Sequence, residues 1–334
     1  MDEKILTISV AAYNVENYLE QNLQSIVDSG CISNLEVFVI DDGGTDGSLA
    51  IAKDYENKFP LSIHAVHKTN GGYGSTVNYS IAHATGRFFR LLDGDDWVDS
   101  EGLKHLVEYL AQCVQEPDVV VTPYHKYTGR QLTETVSFPE VSRYQPIRFR
   151  DLKPQTTISM WAMNYRTAIL QSCGLVMPEH MFYTDQYFAT VPLASCNTVV
   201  FTDIALYCYR LGRDGQSVSR ESRIKHTDET LTICKELTRF AVGIRQTPNY
   251  EYLSHRIAGI DARGVKTILL HPVNRANKIK LVQFEREIRS ISADVYRKET
   301  RMGKTGKLVA FLRATGYTAY WLIRLLPSGI PNWV

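Results

Sequence analysis

The chain lacks any apolar run approaching the roughly 20 residues that cross a bilayer. The nearest one lies close to the C-terminus, and no membrane span is expected. Its start, MDEKILTISVAAYN, is acidic and passes straight into a strand pattern, without the basic region, apolar stretch and cleavage site of a signal peptide. The expectation is a protein that is not secreted. Net charge is nearly absent: 37 basic against 36 acidic residues leave +1, too little to gather nucleic acid, which is excluded as a partner. The 6 cysteines, Cys31, Cys113, Cys173, Cys196, Cys208 and Cys234, form no C-x-x-C pair and no zinc spacing, which fits a reducing cytoplasmic compartment. No G-x-G-x-x-G follows the first apolar run, which argues against a dehydrogenase, and there is no internal repeat or low-complexity tract.

What is present is an ordinary globular composition: 334 residues, 44% apolar and 22% charged, enough for one large domain with an appendage or for two domains. Residues 5–10 (ILTISV) read as a buried strand, and Tyr18, Leu19, Leu23, Ile26 and Val27 follow at helical spacing. The unit repeats as strand 35–40, the turn Asp41-Asp42-Gly43-Gly44-Thr45-Asp46-Gly47 and a helix from Ser48 to Asn57. Then come strand 61–66, Asn70-Gly71-Gly72-Tyr73-Gly74, a helix to Ala84 and strand 87–92. Apolar strands alternating with amphipathic helices predict an α/β fold with a mostly parallel central sheet and helices on both faces. Beyond residue 117, Pro117, Pro123, Pro139, Pro146 and Pro154 punctuate shorter strands and loops, and after Tyr250 the pattern is helical and basic. The expected division is 1–115, 116–225 and a C-terminal helical extension, 226–334.

In such sheets ligands bind beyond the carboxyl ends of the strands, so Asp41-Asp42, Asn70-Gly71-Gly72 and Asp93-Gly94-Asp95-Asp96 are expected around one cleft. Asp93 and Asp95, separated by Gly94, offer hard carboxylate oxygens suited to Mg2+ or Mn2+. The plainer reading is an acidic turn in which Asp96, Asp99 or Ser100 caps a helix starting near Glu101. Asp46 reads as the cap of another helix. The adjacent Asp41 and Asp42 repel each other unless a cation or hydrogen-bond donor stands between them.

The strings ISVAAYNVENYLEQNLQSI, EVFVIDDGGTDGSLAIA and HKTNGGYGSTVNYSIAHATGRFFRLLDGDDWVD resemble the donor-binding half of glycosyltransferase family 2 in order and spacing, over about the first 110 residues. That resemblance implies the Rossmann-like GT-A fold and inverting transfer of a sugar from a nucleotide diphosphate-sugar, with UDP-hexose or UDP-N-acetylhexosamine the best match. It implies that Ala11 and Tyr13 flank the base, with Tyr13 stacking, and that Asp41 and Asp42 hold base and ribose. Gly72 and Gly94 then belong to the donor-binding loops, Asp93 holds ribose or a metal-bound water, and Asp95 ligates the metal, Mn2+ or Mg2+.

The segment Gly174–Tyr187 resembles the family's base motif, normally Glu-Asp at a helix start. Thr184 replaces the Glu, Asp185 falls on the base position, and Glu179 is the reserve candidate. A carboxylate placed at a helix N-terminus only for its dipole is the alternative for Asp185. Tyr207-Cys208-Tyr209-Arg210 resembles the strand after the base. Of Arg210, Arg213 and Arg220, all suited to phosphate oxygens, Arg210 is the residue chosen. Two departures bear on donor and acceptor identity: Val77 stands in Ser75-Thr76-Val77-Asn78 where members often carry arginine, and Ala162-Met163 stand where Asn-Lys is common.

Residues 304–326 combine basic and apolar residues with Tyr317, Tyr320 and Trp321. Two readings stand for them: a helix lying in the inner leaflet interface, peripheral on the cytoplasmic face, or one packed on the catalytic domain or a second subunit of a homo-oligomer. The first suits a lipid-linked saccharide acceptor in cell-surface polysaccharide synthesis. A non-catalytic scaffold with this fold is one alternative function. A nucleotidyltransferase is another, weakened by the absence of glycine and charge in Ala11-Ala12-Tyr13-Asn14.

Overall fold

The computed structural model describes residues 3–325 apart from 114 and 214. Residue 326 of the expected tail segment, residues 327–334 of the expected third region and residues 1–2 of the first lie outside the described residues. Contacts divide the chain into two compact units, one running through Asp151 and resuming over Ile158–Arg213, the other combining Leu152–Thr157 with the chain after Arg213.

The first unit opens with β1 (Leu6–Ala12), α1 (Glu16–Val27), β2 (Leu35–Asp41), α2 (Ser48–Lys58), β3 (Ile63–His67), α3 (Tyr73–His83), β4 (Phe88–Asp93), β5 (Trp97–Val98) and α4 (Ser100–Gln112). Then follow β6 (Val119–Val121), β7 (Tyr124–Thr128), β8 (Gln131–Val136), β9 (Ile147–Arg148), β10 (Met163–Arg166), α5 (Thr167–Ser172), α6 (Asp185–Phe188), β11 (Thr198–Phe201) and β12 (Tyr207–Leu211). The large sheet has the order β3-β2-β1-β4-β10-β6-β11-β9. Its first four strands are parallel, β10 runs against both β4 and β6, and β11 is parallel to β6. The fold class is the expected α/β. Leu6, Ile8, Val10, Val37, Val39, Phe88 and Phe89 are fully buried, because parallel strands covered on both faces must be apolar on both. A smaller sheet, β5-β12-β7-β8, brings the end of the unit back beside the turn after β4. Asp99 caps α4 by accepting from the Gly102 N–H at 2.7 Å, one of the three caps the sequence offered.

The second unit is helical: α7 (Arg220–Lys225), α8 (Thr227–Gly243), α9 (Tyr250–Leu269), α10 (Arg275–Ile291), α11 (Ala293–Glu299) and α12 (Gly303–Ala314). The long α9 is its axis and packs on α8, α10, α11 and α12. Within it Arg313 pairs with the buried Glu285 at 2.6 Å and also with Glu299. Of the tail aromatics, Tyr317 donates to Glu285 at 2.9 Å and Tyr320 is buried, whereas Phe311, Trp321 and Leu322 are exposed. Among the described residues no helix is long and apolar enough to cross a membrane.

Candidate active site

The parallel register sets the site. With β1 between β2 and β4, Ala12 lies opposite Asp41 and Ala11 opposite Asp93, so three of the expected donor-binding residues share the carboxyl edge of adjacent strands. The strand order reverses at β1, the place where open α/β sheets leave a crevice. Asn14, at φ 53°, accepts from the Thr45 N–H at 2.9 Å, which joins the loops after β1 and β2 and leaves the Tyr13 side chain 54% exposed, available for stacking.

The two adjacent aspartates are separated by different partners. Asp41, buried, lies 2.6 Å from Nδ1 of His67 and accepts from the Gly44 N–H. Asp42 is taken up by the next loop: Lys68 Nζ reaches it at 3.0 Å, the Gly71 and Gly72 N–H groups donate at 2.9 and 2.7 Å, and Ser75 adds a hydroxyl. The cation and donors that the pair requires are therefore His67, Lys68 and the Gly71-Gly72 backbone. Asp42 shapes the loop that carries Gly72. Asp46 accepts from the Ser48 and Glu16 N–H groups, tying α2 to α1.

The turn after β4 is built just as tightly. The Gly94 N–H donates to the Ala11 carbonyl at 3.1 Å, and a side-chain carbon at Gly94 would sit 2.6 Å from that oxygen, so only glycine fits. Asn22 donates to the carbonyls of Asp93 and Asp96, both at 3.0 Å. The Tyr207 hydroxyl accepts from the Asp93 N–H, and the Arg210 N–H donates to Asp96 at 2.7 Å. Arg210 itself spends its Nε on the Asp95 carbonyl at 2.7 Å and an Nη on Gln21, with its guanidinium stacked between Tyr18 and Trp97. Arg213 meets the Asp95 carboxylate, Nε to Oδ2, at 2.8 Å. Arg210 thus braces the turn through its backbone, and the cation on the carboxylate is Arg213. Arg213, one of the three arginines suited to phosphate, lies in the loop just after β12, the strand that carries Arg210.

Electrostatics set this turn apart from the rest of the strand edge. Asp93 has one oxygen buried without a partner, and desolvation, with the charges of Asp95 and Asp185, pushes its carboxyl up to about 7 against hydrogen bonds from Tyr73 and Tyr207. Asp96 is raised well above the usual carboxylate range by burial and by Asp95 and Asp93. Burial and the same carboxylates raise the Tyr73 and Tyr207 hydroxyls. Crowded acids that suppress each other's ionisation form a site that favours a cation. Among the described residues no three His, Cys, Asp or Glu side chains converge into a metal cage. The donor set is the Asp93 and Asp95 pair, with an orphaned carboxylate oxygen, and it fits Mg2+ or Mn2+ held by one or two carboxylates and completed by phosphate oxygens.

Asp185 opens α6, close enough for its charge to act on Asp93, Tyr73 and Tyr209. The loop before it is fastened to α3 and to the loop after β3. Asn78 and Met177 exchange two hydrogen bonds at 2.9 and 2.8 Å, and the His180 N–H donates to the Gly71 carbonyl at 2.6 Å. Gly74 packs so closely that an added side-chain carbon would stand 2.0 Å from the Pro178 carbonyl oxygen. His180 and Tyr183, both non-glycine, hold φ of 51° and 62°, the backbone strain typical of loops that position reactive groups. Glu179 is exposed. Trp161, stacked on Tyr209 with ring centroids 4.1 Å apart, keeps a buried indole N–H without a partner beside Ala162-Met163.

Parallel strands reversing order at β1, with an Asp-Gly-Asp turn on the next strand, define the GT-A fold. The sequence model of glycosyl transferase family 2 matches residues 7–171, and the chain belongs to that family. It is 28% identical over 218 residues to the Staphylococcus aureus poly(ribitol-phosphate) beta-N-acetylglucosaminyltransferase TarS, covering 64% of this chain but 36% of that relative's length. A crystal structure of S. aureus TarS 1-349 in complex with UDP-GlcNAc shares the fold at TM-score 0.65 and 22% identity, over 95% of this chain and 89% of that one. The Pyrobaculum calidifontis mannosyltransferase PcManGT in complex with GDP-Man and Mn2+ shares it at TM-score 0.52 and 17% identity, over 94% and 88% of the two chains.

Proposed function

We propose that the chain is an inverting glycosyltransferase that moves a sugar, a hexose or N-acetylhexosamine, from its UDP conjugate to a saccharide acceptor in cell-surface polysaccharide synthesis. The observation that carries this reading is the shared strand edge of Asp41, Ala11 and Asp93, with Asp95 and Asp185 within electrostatic reach. Tyr13 stacks on the base, while Asp41, polarised by His67, accepts from the nucleoside. Asp93 and Asp95 would hold Mn2+ or Mg2+, and the metal would supply positive charge to offset that of the departing diphosphate. Arg213 supports the same phosphates from the Asp95 side.

An acceptor hydroxyl oxygen forms the new bond to the anomeric carbon as the bond to the diphosphate oxygen breaks. That oxygen keeps the electron pair, and Asp185 takes the hydroxyl proton. In this reading Asp185 faces the side opposite the leaving group, and the loop before it is tied down through Asn78 and Met177. A lipid-linked acceptor is consistent with the exposed Phe311, Trp321 and Leu322, which in this reading rest on the cytoplasmic leaflet.

The test is calorimetric titration with UDP, GDP, CDP and dTDP, each with and without Mn2+. Tight binding of UDP that requires the metal supports the reading. Absence of binding by every nucleotide under both conditions removes it and favours a scaffold.

A further inference from the structure

Among the described residues of the second unit, two desolvated cations are paired with carboxylates and a third is not. Lys298 is buried against Glu251 at 2.7 Å, Asp294 at 3.2 Å and the Ser254 hydroxyl, and the partly buried Arg313 pairs with Glu285 and Glu299. Lys266 on α9 is only 5% exposed, yet its ammonium has no hydrogen-bond partner. Among the described residues the charged group acting on it is another cation, Arg223 of α7, and Arg223 has no ion pair of its own among them. Burial first, then Arg223, lowers the lysine's pKa.

The arrangement is held in place. Arg220 donates to the Leu270 carbonyl at 3.1 Å, one helical turn beyond Lys266, and Thr227 meets His271 Nε2 at 2.7 Å. Those two contacts hold α7, which carries Arg223, and the start of α8 against the end of α9, which carries Lys266. Two like charges kept together, one of them desolvated, are unfavourable unless an anion joins them.

We propose that Lys266 and Arg223 form a binding site for a phosphate group of the acceptor. A guanidinium fork beside an ammonium matches the tetrahedral oxygens of a phosphodiester. The site lies outside the donor machinery already described, and its assignment to the acceptor rests on the glycosyl transfer reading.

The experiment is thermal unfolding of the whole chain titrated with inorganic phosphate at constant ionic strength, chloride balancing, followed by the same titration with a glycerol phosphodiester. Inorganic phosphate is expected to raise the midpoint saturably, and Lys266→Met and Arg223→Gln each to weaken that response at least tenfold. In phosphate-free chloride Lys266→Met should be more stable than the parent, because it removes an unpaired buried charge. Arg223 is only half-buried, so its variant folds even if the lysine variant does not. Diester binding as tight as inorganic phosphate supports the acceptor assignment; a response to inorganic phosphate alone overturns it, and no response to either overturns the site. UDP affinity is measured on the same samples. Loss of UDP binding in step with phosphate binding would place the pair on the donor and overturn the proposal. A parent chain that binds phosphate but no uridine nucleotide keeps the site and removes the reading on which its acceptor role rests.

Discussion

Tyr207 donates its phenolic hydrogen to the Asp96 carboxylate at 2.6 Å, across 111 residues of sequence. The same oxygen accepts from the Asp93 N–H at 3.1 Å, so one hydroxyl from the small sheet fixes both ends of the Asp-Gly-Asp-Asp turn. Tyr207→Phe leaves a buried carboxylate short of a donor, with an expected loss of about 1–3 kcal/mol. Urea unfolding should show a lower midpoint at unchanged slope, and UDP affinity should fall with it; an unchanged midpoint would dismiss the bridge as incidental.

Asp95→Ala removes the partly buried partner of Arg213 and the strongest candidate ligand for the metal. Turnover stimulated by Mn2+ should drop about 100-fold or more while the fold persists. Full metal stimulation in this variant would take the ligand role away from Asp95.

Asp185→Asn keeps the shape of the residue and loses its basicity. UDP binding should be unchanged and transfer should fall about 100- to 10,000-fold. Glu179→Gln, at an exposed position, should act as the parent. Parent-like turnover in Asp185→Asn, with loss in Glu179→Gln, would exchange the two roles.

Gly74→Ala puts a methyl group against the Pro178 carbonyl. The loop before Asp185 must shift; if Asp185 is the base, kcat should fall more than UDP affinity does, and a displacement near an ångström is enough to cost about 100-fold. Equal losses in both would mean that the donor loop had moved instead.

Asp261 in α9 is fully buried, and burial, aided by Glu285, pushes its carboxyl up to about 8 against hydrogen bonds from Thr238 and Cys234. In the unfolded chain it titrates near 3.9. Between these values the native state holds a proton that the unfolded state has released. This group's contribution to stability is therefore full below about pH 4 and is lost as pH rises toward 8. Asp261→Asn should remove that slope, so its melting advantage over the parent should grow between about pH 5 and pH 8; parallel melting curves would refute it.

Strand ends, turn glycines and helix starts were legible because each is written in neighbouring residues. Ala11, Asp41 and Asp93 fell at the ends of apolar runs, and parallel register did the rest. The direction in which Asp42 turns was not legible, since it depends on Lys68 and the Gly71-Gly72 backbone, groups about 26 to 30 residues away. Likewise nothing local marks Tyr207, or separates the bracing Arg210 from the carboxylate-bound Arg213. Their roles arise only when β12 pairs with β5 and returns the chain to the turn after β4. Tyr317 and Tyr320 shared one apolar pattern with Trp321, yet packing drew the first two inward and left the third outside.

The mutual bonds between Asn78 and Met177, with His180 on Gly71, separate geometry from choice. If Asp185 is the proton acceptor, as proposed, its loop is fastened to the loop carrying Gly71 by main-chain and amide contacts, and the spacing of the reaction is inherited with the scaffold. Side chains elsewhere that decide which hydroxyl enters are then free to diverge. A lineage built this way can change its product over evolutionary time without having to rediscover its chemistry.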